Sequence, residues 1–116
     1  MIRRAEEKVV IEKSDHMGGE GKLIIRNLLN DPSEMYDKGR VFCHTSLEPG
    51  SSIGYHTHHD ESETYYIYSG IAEYNDNGTL VELRTGDVAF TASGEGHGIK
   101  NIGNEPLELI ALIIYK

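Results

Sequence analysis

Short runs of alternating or apolar residues make up most of this chain, and turn-forming residues break them at frequent intervals. The breaks fall at Gly18-Gly19, Asp31-Pro32, Pro49-Gly50, Ser69-Gly70, Asn77-Gly78, Thr85-Gly86-Asp87, Gly94 with Gly96, and Gly103-Asn104. Between them the pattern predicts strands near 8–12, 22–29, 40–47, 54–58, 63–69, 71–75, 79–83, 87–91, 96–101 and 106–115. No stretch carries a sustained helical stripe. Many short strands separated by turns point to an all-β sandwich or barrel. Asn77-Gly78 is a hairpin turn, because both residues tolerate positive φ. Pro32 behind Asp31 predicts a single helical turn within 30–37.

The last strand, Leu107 to Tyr115, is apolar on both faces in its second half. A strand buried on both sides needs a further layer over it. Ile110, Leu112 and Ile114, or the opposite parity, therefore predict a subunit interface, and a homodimer is the expected assembly.

The chain has 116 residues, and a single domain spanning 1–116 is expected. A chain of this length can bury a core without metal or disulfide staples, so a bound metal would serve function rather than folding. The net charge is −8 and no basic cluster stands out, which argues against nucleic acid and against acidic membrane surfaces. Cys43 is the only cysteine, so no intramolecular disulfide can form. The N-terminal stretch has one short apolar run, Val9 to Ile11, well below what a signal peptide or a membrane span requires. A cytoplasmic location is the expectation.

The chemistry concentrates in two blocks, 50–70 and 86–101. The first carries His56, His58 and Glu63, the second His97. Imidazole and carboxylate together form a ligand set for a first-row divalent metal. Residues i and i+2 of a strand share a face, so His56 and His58 converge on one ion only if their segment is extended. Glu63 has the wrong parity for the same strand, and the polar stretch His59 to Ser62 is where a bend would reset the register. Four such ligands leave two positions of an octahedral ion open to water or a chelating substrate.

Gly50, His56, His58, Glu63 and Gly70, followed by Gly86, Gly94, His97 and Asn101, reproduce the spacing of two signature motifs. In these motifs the chain closely resembles the cupin superfamily, with residues 71–85 between them. One position departs: Ala92 stands where cupins usually have proline, which bears on the loop geometry and not on metal ligation. The resemblance implies an antiparallel double-stranded β-helix, or jelly-roll barrel. It implies one divalent transition metal (Mn, Fe, Zn, Ni or Co) held by His56, His58, Glu63 and His97 inside one mouth, and it agrees with a homodimer. It does not choose a reaction, because cupins include decarboxylases, dioxygenases, isomerases and non-enzymatic binding proteins.

Other residues have two readings each. Glu61 replaces Glu63 as ligand if the register slips by two, but Glu63 has the spacing to Gly70 that the motif requires. His44, alternating with Phe42 and Ser46, is a proton shuttle or substrate contact if that face points inward, and a half-buried barrel histidine if not. Tyr65 shares the face of Glu63 and is the candidate pocket wall. His44 and Tyr65 are thus the candidate catalytic residues. His16, beside Met17-Gly18-Gly19, reads as loop surface, as does His59. The expected function is a metal-dependent enzyme acting on a small oxygen-rich molecule, an organic acid, diketone or sugar, by decarboxylation or oxygen-dependent cleavage ahead of isomerisation. The alternative is a cupin that binds a small ligand without turnover.

Overall fold

A computed structural model describes residues 1–116. It contains ten strands: β1 (Val10–Ser14), β2 (Lys22–Leu29), β3 (Gly39–Leu47), β4 (Ser52–Thr57), β5 (Glu61–Ser69), β6 (Ile71–Asp76), β7 (Thr79–Arg84), β8 (Val88–Thr91), β9 (Gly96–Asn101) and β10 (Leu107–Tyr115). The only helical pieces are three 3-10 turns, at Ala5–Glu7, His16–Gly18 and Pro32–Met35. The last forms as expected, with the Asp31 carboxylate accepting from the Ser33 N–H. No helix is long and apolar enough to cross a membrane.

The strands form two antiparallel sheets. Six lie in the order β1-β2-β3-β10-β5-β8 and four in the order β4-β9-β6-β7. Consecutive strands repeatedly cross from one sheet to the other, as a double-stranded β-helix requires. The hairpin at Asn77-Gly78 joins β6 to β7, and both turn residues have positive φ.

Period-two alternation puts one face of each strand between the sheets. On β10 the inward residues are Leu107, Leu109, Ala111 and Ile113, all buried. Their cross-strand neighbours define the interior from end to end. Leu107 lies opposite Leu47, which lies opposite Leu23, and all three are fully buried. Each such side chain contributes about 1.5–3 kcal/mol by leaving water. Asn101 closes this end: its side-chain amide donates to the carbonyls of Leu47 and Glu105, and its oxygen accepts from Gly103 N–H. Toward the other end the rows become Ala111 with Cys43 and Tyr65, then Ile113 with Val41 and Glu63. A closed aliphatic floor thus gives way to a polar mouth.

Candidate metal centre

Two local irregularities aim the donors. The β4–β9 register shifts between Ile53 and His56, and beyond this bulge His56 lies directly opposite His97. His58 follows the end of β4. Its N–H donates to Glu95 C=O (3.0 Å) and its C=O accepts from Gly94 N–H (2.7 Å), so the 92–95 turn holds its backbone at both sides. The chain then bends through His59 and Asp60, the latter at φ 59°, before β5 begins at Glu61. The expected bend is present, and it brings Glu63 to the inner face.

Ala92 occupies this same turn. Its N–H, which a proline would lack, donates to the Glu95 carboxylate (2.9 Å), and Glu95 N–H donates back to Ala92 C=O (3.1 Å). A reciprocal pair of hydrogen bonds replaces ring rigidity.

One donor atom from each of His56, His58, Glu63 and His97 lies within 4.8 Å of the others. His58, Glu63 and His97 are buried and His56 half-buried. The Glu63 carboxylate Oε1 is 2.8 Å from His97 Nε2, 3.1 Å from His58 Nε2 and 3.9 Å from His56 Nε2. The outward nitrogens are all engaged. Nδ1 of His56 donates to Gly54 C=O (2.7 Å) and Nδ1 of His58 to the Glu61 carboxylate (2.7 Å). Nδ1 of His97 meets the Tyr74 hydroxyl (2.8 Å), which is bonded in turn to Thr91 Oγ1 (2.9 Å). A carbonyl and a carboxylate can only accept, so His56 and His58 carry their protons on Nδ1. Tyr74 accepts likewise from His97 when its own proton goes to Thr91. Each imidazole then turns an Nε2 lone pair inward.

With those tautomers, His58 Nε2 and His97 Nε2 face each other at 3.1 Å as two lone pairs. Such an arrangement is favourable around a cation. The donor set carries one negative charge, on Glu63, and combines borderline nitrogen with hard oxygen, which fits a divalent transition metal.

Burial alone would raise the Glu63 pKa, but the three imidazoles outweigh it and hold the carboxyl well below its usual range. Hydrogen bonding to Glu63, helped by Glu61, raises His58 against the opposing effect of burial. Burial dominates at His97 and lowers it. Tyr74 is pushed up to about 12 by burial, so it stays a neutral phenol at physiological pH.

The site opens into a cavity of about 350 Å³ between the sheets. Tyr65 is a wall of it, buried and stacked on the His97 ring with centroids 4.9 Å apart and planes at 24°. His44 is not. On β3 the cavity takes Val41, Cys43 and Thr45, so His44 falls on the outer face, where it pairs with Glu108 beside Ser46. The expectation of an inward His44 is therefore corrected by strand parity. Glu61 does not join the donor cluster either. It bridges His58 to Arg40, whose guanidinium makes two 2.7 Å bonds to it and lowers its pKa.

His16 also departs from expectation, because it lines the cavity together with His56 and Glu63 instead of lying on loop surface. Burial, with Lys13 and His56 nearby, lowers its pKa. Only the density of glycines around residue 19 hinted at this close approach. Arg40 and Tyr74 gave no local signal, since their partners lie 21 and 23 residues away.

Comparison with known proteins places these features in a family. The Cupin_2 model, described as Cupin domain, matches residues 43–115. An oxalate-binding protein of Thermotoga maritima is 43% identical over 114 residues, covering 98% of this chain and 93% of its own length. A crystal structure from Thermotoga maritima, described as a predicted oxalate decarboxylase, superposes with a TM-score of 0.95 at 42% identity over the whole of both chains. The Cnp3 cupin domain of Schizosaccharomyces pombe shares the fold, with a TM-score of 0.71 at 14% identity over 94% of this chain and 88% of its own. Double-stranded β-helix, inward donor cluster and family match agree, and the chain belongs to the cupin family.

Proposed function

We propose that this chain holds one divalent transition metal through His56, His58, Glu63 and His97 and binds a small organic acid at it, with oxalate the first candidate. The convergence of three Nε2 lone pairs on the Glu63 carboxylate, with every Nδ1 already engaged, carries this reading. The names of the two Thermotoga maritima relatives supply the acid. When bound, the ion supplies Lewis acidity and open positions for chelating oxygens. Gly54, Glu61 and Tyr74 orient the imidazoles, Arg40 fixes Glu61, and Tyr65 keeps water from the inner side of His97.

Turnover of the acid, as decarboxylation or oxygen-dependent cleavage, is the first form of this reading. Binding without turnover is the second. It is favoured by one observation: Glu63 is the only carboxylate lining the cavity, and it is held ionised among the imidazoles. No carboxylic acid is thereby placed to protonate a product carbanion. Metal analysis should give about one transition metal per chain, and calorimetry should show oxalate binding only to metal-loaded protein. Formate and carbon dioxide from oxalate would select the enzyme. Stable binding of unchanged oxalate would select the binding protein.

We infer further that the chain forms a homodimer through the outer face of the six-stranded sheet. Two rows of that face are uncharged from β10 to the β8 edge: Ile110, Tyr66 and Val88 form one, and Leu112, Thr64 and Phe90 the next, which Phe42 extends on β3. The first row continues on the β3 side into His44 and Arg26. Val88 and Phe90 are 62% and 59% exposed on a chain of net charge −8. A sheet apolar on both faces needs a second layer, and a two-fold copy provides it. Phe90→Glu should halve the mass measured by light scattering; an unchanged mass would remove this face as the interface.

A further inference from the structure

The cavity has a second wall that the family match does not include. Residues 43–115 fit the family model, whereas Ile11, Lys13, His16 and Met17 reach the same cavity from the N-terminal segment. Ile11 and Lys13 share one face of β1, and their cross-strand partners on β2, Ile25 and Leu23, line the cavity as well. His16 follows on the 3-10 turn and lines the same cavity as His56 and Glu63.

This turn is fixed to the barrel. A Cβ on Gly54 would lie 2.0 Å from Met17 C=O, and one on Gly19 would lie 2.3 Å from Ser52 C=O, so the two backbones meet where only glycine fits. Ser52 N–H donates to Glu20 C=O (2.8 Å), while Glu20 N–H donates to Ser52 Oγ (2.9 Å). Asp15 N–H donates to Gly21 C=O, and Gly21 N–H donates to the Asp15 carboxylate. Asp15 and Met17, on either side of His16, both have positive φ, a conformation that non-glycine residues seldom adopt unless their surroundings impose it. The bonds and strain therefore hold the backbone on both sides of His16 against the barrel.

Charge divides the basic residues of the cavity. Arg40 is engaged by Glu61, whereas Lys13 has no carboxylate partner. The cavity thus shares its lining between the donor cluster and an N-terminal segment with one half-buried imidazole, His16, and one exposed, unpaired ammonium, Lys13. We propose that His16 and Lys13 are ligand-contacting residues that recognise the carboxylate end of a small organic anion whose other oxygens face the metal centre. This assignment rests on the metal-dependent reading of the site. It locates ligand selectivity in the N-terminal segment, outside the part matched by the family model.

The test is calorimetric titration of metal-loaded protein with oxalate and with malonate, alongside metal analysis, for the unchanged chain, His16→Ala, His16→Gln and Lys13→Met. All four should keep about one metal per chain. Oxalate affinity should fall about 10-fold or more in His16→Ala and in Lys13→Met, as expected for loss of a hydrogen bond to a charged group. His16→Gln, which retains an N–H donor, should recover part of the loss, and Lys13→Met should flatten the salt dependence of binding. Unchanged affinity in both His16→Ala and Lys13→Met, with metal retained, would overturn this proposal alone. Failure of the unchanged chain to bind metal, or failure of its metal-loaded form to bind either acid, would overturn the underlying reading and this proposal with it.

Discussion

Two histidine–glutamate groupings lie on opposite faces of the six-stranded sheet. Outside, His44 pairs with Glu108 beside Ser46 and Arg26, half-exposed to water. Inside, three imidazoles surround Glu63, and each has its far nitrogen held by Gly54, Glu61 or Tyr74. The residue types are the same and the chemistry differs. The outer pair has one imidazole, already satisfied by its carboxylate. The inner group has more inward lone pairs than it has protons to place between them. Convergence with fixed tautomers, more than the presence of histidine and glutamate, distinguishes a candidate metal centre from a part-exposed ion pair.

The sharpest break in the comparison is the double change His56→Ala with His58→Ala. Metal content should fall from about one per chain to none by elemental analysis, and full retention would remove Glu63 and His97 from the proposal too. Acidification comes next. Protons compete with metal for Nε2, so metal leaves as pH falls and returns as it rises. His58, raised by Glu63 and Glu61, takes a proton before His97, which burial holds low. Glu63 has a depressed folded pKa, so its contribution to folding is complete above the unfolded value of about 4.3 and fades as pH drops below it. Dialysis across pH followed by metal analysis should therefore show the ion leaving before acid unfolding seen by circular dichroism.

Glu61→Gln is a milder probe. It leaves all four donors in place but weakens the hold on His58, and metal affinity should fall about 10- to 100-fold in a chelator competition. The smallest effect belongs to the outer pair. His44→Ala should leave metal content unchanged and cost no more than about 1 kcal/mol in chemical denaturation, as a part-exposed ion pair implies. Metal loss in that variant would erase the distinction between the two groupings.

Much of this was legible in the residues. The ten strands, the Asn77-Gly78 hairpin and the bend before β5 follow from alternation and turn chemistry, both of them local. The donors were legible because their spacing is rigid in extended chain. The facing of β3 was not. Val41, Cys43 and Thr45 differ little in polarity from Phe42, His44 and Ser46, so alternation there marks two faces without saying which is inside. His16 was hidden for another reason. Its place at the cavity depends on the contact of Gly19 with Ser52 and of Gly54 with Met17, which joins segments more than thirty residues apart.

The clasp of the 92–95 turn on His58 also has a consequence in time. During synthesis His56, His58 and Glu63 leave the ribosome well before Gly94, Glu95 and His97, so a nascent chain that has reached Glu63 carries three of the donors while His58 still lacks the turn that clasps its backbone. If the cluster holds an ion as proposed, its capture belongs to the completed barrel. On that reading the metal that fills the site is decided by the supply available after folding, in competition with every other finished protein.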